Sequence, residues 1–78
     1  PVFTTEDGIK TIKQFFGKLI EWKNLDDLIP KNFKKEKRYE RTGKAGIFAG
    51  SLELVKEGNL KIKQKDLFEN IYIKETNE

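Results

Sequence analysis

Asp26 and Asp27 stand side by side, and neighbouring carboxylates can share general acid and base work. The same pair following Asn24 is also what the first turn of a helix selects, because acidic side chains complement its positive end. Nothing near them in the sequence completes a catalytic constellation. The chain has neither cysteine nor histidine, which removes thiol nucleophiles, imidazole bases and Cys/His zinc sites from the possible chemistry. No glycine-rich loop leads into Lys-Ser or Lys-Thr, so there is no phosphate cradle of the P-loop kind. The sequence therefore reads as non-catalytic and without a cofactor, and its remaining chemistry is charge and apolar surface.

Charge gathers in one place. Between Lys31 and Lys44, seven of the fourteen residues are basic, with Phe33 and Tyr39 interleaved. Lys34, Lys35, Lys37, Arg38 and Arg41 are the candidates for a nucleic-acid backbone or an acidic partner. Glu36 and Glu40 dilute that field, and a solvated loop running into a helix needs no function at all. Overall, 16 basic residues face 13 acidic ones, a net charge of +3 that does not by itself establish nucleic-acid binding.

The elements that must position these residues follow from periodicity. At 78 residues the chain is one domain, 1–78, with a thin margin of stability. Thr4 with Asp7 three residues on is a capping pattern, and Ile9, Ile12, Phe16, Leu19 and Ile20 follow at helical spacing, with Phe15 and Trp22 widening the stripe. This predicts a first helix over 5–22. Asn24 then caps a short second helix carrying Leu25, Leu28 and Ile29, stopped by Pro30.

A long third helix is expected from Glu36 or Lys37 to the stop at Gly58-Asn59. Ala45, Phe48, Ala49, Leu52 and Val55 line one side of it, and Phe48 and Leu52 are expected mainly in the core. Gly43, Gly46 and Gly50 line another, with Glu53 and Glu57 beyond and Ile47 and Leu54 flanking. Three helical glycines cost roughly 1 kcal/mol each relative to alanine, and close approach of another backbone would compensate. Glycines reach no base edge and two carboxylates repel phosphates, so this face suits packing against protein better than reading DNA. Beyond the stop, Leu60 and Ile62 alternate with Lys61 and Lys63, and Ile71-Tyr72-Ile73-Lys74 alternates again. A loop from Lys65 to Asn70 joins these strands, and the polar tail from Glu75 to Glu78 is expected to fray. Three helices followed by a two-stranded β-hairpin wing is the order of an α+β winged helix.

Residues 48–74, FAGSLELVKEGNLKIKQKDLFENIYIK, carry a resemblance. Phe48, Leu52-Glu53-Leu54, Gly58, Gln64, Phe68 and Ile71-Tyr72-Ile73 together resemble the C-terminal domain of segregation and condensation protein A, the bacterial kleisins. The family often has glycine directly after the loop phenylalanine, where this chain has Glu69. The resemblance implies a winged-helix fold and a module that docks on the ATPase head of an SMC protein. It implies closure of an SMC–kleisin ring that condenses and segregates chromosomes, and recruitment of segregation and condensation protein B through other parts of the kleisin.

The partner-binding residues expected on this basis are Ile47, Leu54, Phe68, Ile71, Tyr72 and Ile73. The wing edge is expected to pair with a partner's sheet. DNA would be met indirectly or by weak, sequence-blind contact. The alternative is a winged-helix DNA-binding domain of a regulatory protein. The chain begins Pro-Val-Phe and holds no methionine, so it reads as a C-terminal fragment of a longer protein. No stretch approaches the roughly 20 apolar residues of a membrane span, and the expected setting is cytoplasmic and nucleoid-associated.

Overall fold

The computed structural model describes residues 1–77. Its elements are α1 (Thr5–Lys13), β1 (Lys23–Asn24), α2 (Lys37–Lys56), β2 (Leu60–Gln64) and β3 (Ile71–Glu75). Two 3-10 turns, Leu25–Leu28 and Lys31–Phe33, lie between β1 and α2. The three strands form one antiparallel sheet in the order β1-β3-β2. This corrects the expected winged helix of three helices and a two-stranded wing: the described residues form two α-helices and a three-stranded sheet.

The reasons are local. Thr4 caps α1 as its spacing implies. Its hydroxyl accepts from the Asp7 amide at 3.0 Å, and the Asp7 carboxylate accepts from the Thr4 amide at 3.0 Å. The helix nevertheless ends at Lys13 rather than Trp22. Bonds from Phe15 to Ile12, from Phe16 to Lys13 and from Lys18 to Phe15 tighten the chain into turns, and Gly17 adopts a left-handed φ of 92°. Trp22 leaves the helix and leads into β1, a two-residue strand too short to show any alternation.

Asn24 does cap the next segment, accepting from the Asp26 amide at 3.0 Å. Only four residues separate it from Ile29-Pro30, however, and they form a 3-10 turn instead of a helix. The bounds expected for the long helix hold: α2 runs 20 residues, and Gly58, at φ 83°, turns the chain into β2. The tail is less free than expected. Glu75 belongs to β3, Thr76 donates to the Asn59 carbonyl at 3.1 Å, and Glu78 lies outside the described residues.

The core corrects the facial reading of α2. Gly43, Gly46, Ile47, Gly50, Ser51 and Leu54 are its buried residues, while Phe48 and Leu52 remain about 40% exposed, at 39% and 40%. The backbone that approaches Gly46 and Gly50 belongs to α1 and to Phe3 just before it, whereas Gly43 meets the side chains of Ile29 and Phe33. A Cβ on Gly50 would sit 2.7 Å from the Gly8 carbonyl carbon and the Ile9 nitrogen, and one on Gly46 would overlap the Phe3 carbonyl oxygen. Ile12, Leu19, Leu25, Leu28, Ile47, Leu54, Leu60 and Ile73 close the core around that seam. Each buried aliphatic side chain contributes roughly 1.5–3 kcal/mol.

Candidate docking surface

Turning the glycine face inward turns its neighbour outward. Arg41, Ala45, Phe48 and Leu52 recur at helical spacing along the exposed side of α2. The β2–β3 loop brings a second apolar group alongside. Phe68 is fully exposed at 102%, and its backbone holds a left-handed φ of 70°. That conformation disfavours a bulky side chain. The left-handed residue is thus Phe68 itself, one position before Glu69, where the resembling family often has glycine.

Phe48, Ala45, Leu25 and Ile71 meet Phe68 across a shallow groove of about 370 Å³. Lys44 and Asp26 stand at its wall, 3.8 Å apart as an exposed ion pair. Apolar floor with a polar rim is the anatomy of a protein contact surface. Large apolar side chains left in solvent at one place mark such surfaces more specifically than scattered ones do.

The residues expected from sequence divide into three groups. Ile47, Leu54 and Ile73 are at most 1% exposed and belong to the core rather than to the surface. Their reassignment follows from the inverted faces of α2 and from the inward pleat of β3. Phe68 and Ile71 line the groove. Tyr72 lies opposite Lys63 on the other face of the sheet, away from Phe48. Phe48, which lines the groove, and Leu52, which continues the exposed ridge of α2 beyond it, are the residues that sequence reasoning misplaced in the core. The signal that could have pointed to the inner face was the glycine stripe, because helical glycines mark where another segment packs closely.

The basic stretch is exposed but its aromatics are not presented. Phe33 packs edge-on against Phe3 at 5.0 Å and against Tyr39 at 6.4 Å. Arg38 pairs with Glu36 at 3.3 Å and lies over the Tyr39 ring at 5.0 Å. Lys34, Lys35, Lys37 and Arg41 extend into solvent around the start of α2. Among the described residues no helix is long and apolar enough to cross a membrane. No family model matches the chain, and neither a curated protein nor a solved structure matches it.

Proposed function

We propose that the chain is a non-catalytic docking module that presents the Phe48–Leu52 ridge and Phe68 to another protein. The observation carrying this reading is the convergence of exposed Phe48 and strained, fully exposed Phe68 on one groove. A conformation that disfavours a bulky side chain and leaves it in water is retained where something else gains from it. The motif resemblance over residues 48–74 supplies the partner: the ATPase head of an SMC protein, gripped by a kleisin C-terminal domain. On this reading the module closes an SMC–kleisin ring at the nucleoid. Segregation and condensation protein B is then recruited by other parts of the kleisin, and ATP chemistry belongs to the partner.

Titration calorimetry with an isolated SMC head tests it. Phe48→Glu and Phe68→Glu should each weaken binding about tenfold or more, as central contact residues do. Tyr72→Lys, on the opposite sheet face, should leave binding near the unsubstituted value. Loss of the contact reading follows from heads that do not bind, or from binding indifferent to both glutamates.

A further inference from the structure

The sheet's outer face carries cations that the docking reading does not use. Its inner face is closed by Leu60, Ile62, Ile71 and Ile73. Pleating places Lys61, Lys63, Tyr72 and Lys74 on the other side. Lys61 sits directly opposite Lys74 across the β2–β3 ladder, and like charges so placed repel. No carboxylate relieves them: the ion pairs among the described residues involve Arg38, Lys44 and Lys56 instead. Lys63 and Lys74 gather over the Trp22 ring, at 4.3 and 5.8 Å from its centre.

Lysines on an edge strand commonly guard against sheet-to-sheet aggregation. That explains Lys61 and Lys63 on β2 but not Lys74, because β3 is the central strand and both of its edges are already paired. A hollow of about 700 Å³ adjoins this cationic row, lined by Lys63, Lys65, Tyr72 and Phe68, with Glu69 as its one carboxylate. Its size is in the range of small-molecule sites. Gln64 donates to the Glu69 carbonyl at 2.8 Å and holds the rim of the hollow in place.

We propose that this face binds single-stranded nucleic acid. Lys61 and Lys63 project about 6.7 Å apart along β2, a repeating row of point charges that can follow a phosphate backbone. Tyr72 supplies a ring face and the hollow beside it accepts a base, while Trp22, lying under Lys63 and Lys74, is uncovered for stacking when those cations turn to phosphate. An acidic peptide would use the charges but leave the rings idle, whereas stacking on aromatics within a basic groove is how single strands are held without sequence preference. The surface is separate from the Phe48 side of the groove and from the basic stretch at the start of α2.

Trp22 is the sole tryptophan, so its emission reports this face directly. The experiment titrates the full chain with oligo-dT, following both Trp22 fluorescence and the anisotropy of a labelled strand, with duplex DNA and poly-glutamate as parallel arms. Oligo-dT should perturb Trp22 emission, and the logarithm of affinity should fall with the logarithm of salt by about 0.7 per lysine engaged. Lys63→Glu with Lys74→Glu should weaken binding about tenfold or more, while Lys35→Glu with Arg41→Glu should not. Melting curves of the variants separate lost binding from lost folding, and the unsubstituted chain's Trp22 response stands even if a variant fails to fold. Absence of oligo-dT binding overturns the proposal. So does binding that leaves Trp22 unperturbed, an equal affinity for duplex or poly-glutamate, or sensitivity confined to Lys35 and Arg41. None of these outcomes bears on attachment to an SMC head through Phe48.

Discussion

Gly8 of α1 lies against the carbonyl of Gly46 on α2, and a Cβ added at Gly8 would overlap that oxygen. The obstacle on each side of this seam is backbone, which cannot rotate away as a side chain can. Gly50 has the same relationship with Gly8 and Ile9. Gly43 differs, because its nearest neighbours are the Ile29 Cγ2 at 3.0 Å and the Phe33 Cβ at 3.2 Å. Alanine improves helix propensity by about 1 kcal/mol at each site, so the sign depends on what must move. Gly8→Ala and Gly50→Ala should destabilise by about 1–3 kcal/mol as overpacking prevails. Gly43→Ala should stay within about 1 kcal/mol of the unsubstituted chain. Urea unfolding of the three variants decides it, and equal losses at all three would remove the distinction between backbone and side-chain contact.

Glu75 ties the last strand to the turn after α1. Its Oε1 accepts from the Gly17 amide at 2.7 Å and from the Leu19 amide at 3.2 Å, while its own amide donates to the Leu19 carbonyl at 2.9 Å. The carboxylate thus holds backbone donors left over where α1 dissolves into turns. Glu75→Ala should cost about 1–3 kcal/mol, since hydrogen bonds to a charged group exceed the neutral average. Glu75→Gln, which keeps an acceptor oxygen but loses the charge, should fall between. Thermal unfolding of both variants measures this. Hydrogen exchange should show faster opening at Gly17 and Leu19 than at Ile47 in the alanine variant.

How far the sequence reveals this molecule depends on which signal each segment carries. The Thr4–Asp7 box, the Asn24 cap, the start of α2 near Glu36, the Gly58 stop and the two alternating strands were all legible, because each rests on local stereochemistry. The end of α1 was not, since Phe15, Phe16, Leu19 and Ile20 continue a helical spacing past the point where the backbone turns. β1 was invisible, because Lys23 and Asn24 are strand only by pairing with Ile73 and Tyr72. The face of α2 was misassigned by side-chain hydrophobicity. Phe48 and Leu52 outweigh glycine on any such scale, yet glycine admits α1 to close approach and thereby decides which side is inside. That single inversion moved Ile47 and Leu54 from the proposed contact surface to the core and Phe48 in the other direction.

Asp7 gives the fold an acid-sensitive element. The hydrogen bond from the Thr4 backbone amide, then that with the Thr4 side chain, holds its carboxyl below the usual range, with a smaller contribution from Lys10. A carboxyl depressed in the folded state contributes stability that is complete above its unfolded value and is lost as pH falls through the folded one. Asp7→Asn keeps an acceptor for Thr4 but has no charge to favour at the helix N-terminus. The difference in melting temperature between the two proteins should be largest above about pH 5 and shrink below about pH 4. A difference that stays constant across that window would mean the charge contributes nothing.

Phe68 separates stability from binding. Its left-handed backbone costs roughly 1–2 kcal/mol for a residue with a Cβ, and its ring regains nothing from the fold because it is fully exposed. Asparagine tolerates that conformation better than other residues apart from glycine, and lacks glycine's entropic penalty in the unfolded chain. Phe68→Asn should therefore leave stability unchanged or raise it by about 0.5–1 kcal/mol. The same substitution removes the ring that faces Phe48 and Ile71 across the groove, so affinity for an SMC head should drop while the melting temperature does not. Paired melting and calorimetric titrations would show the two quantities moving apart. If affinity and stability instead fell together, Phe68 would be a folding residue, and the groove it lines would lose its standing as a contact surface.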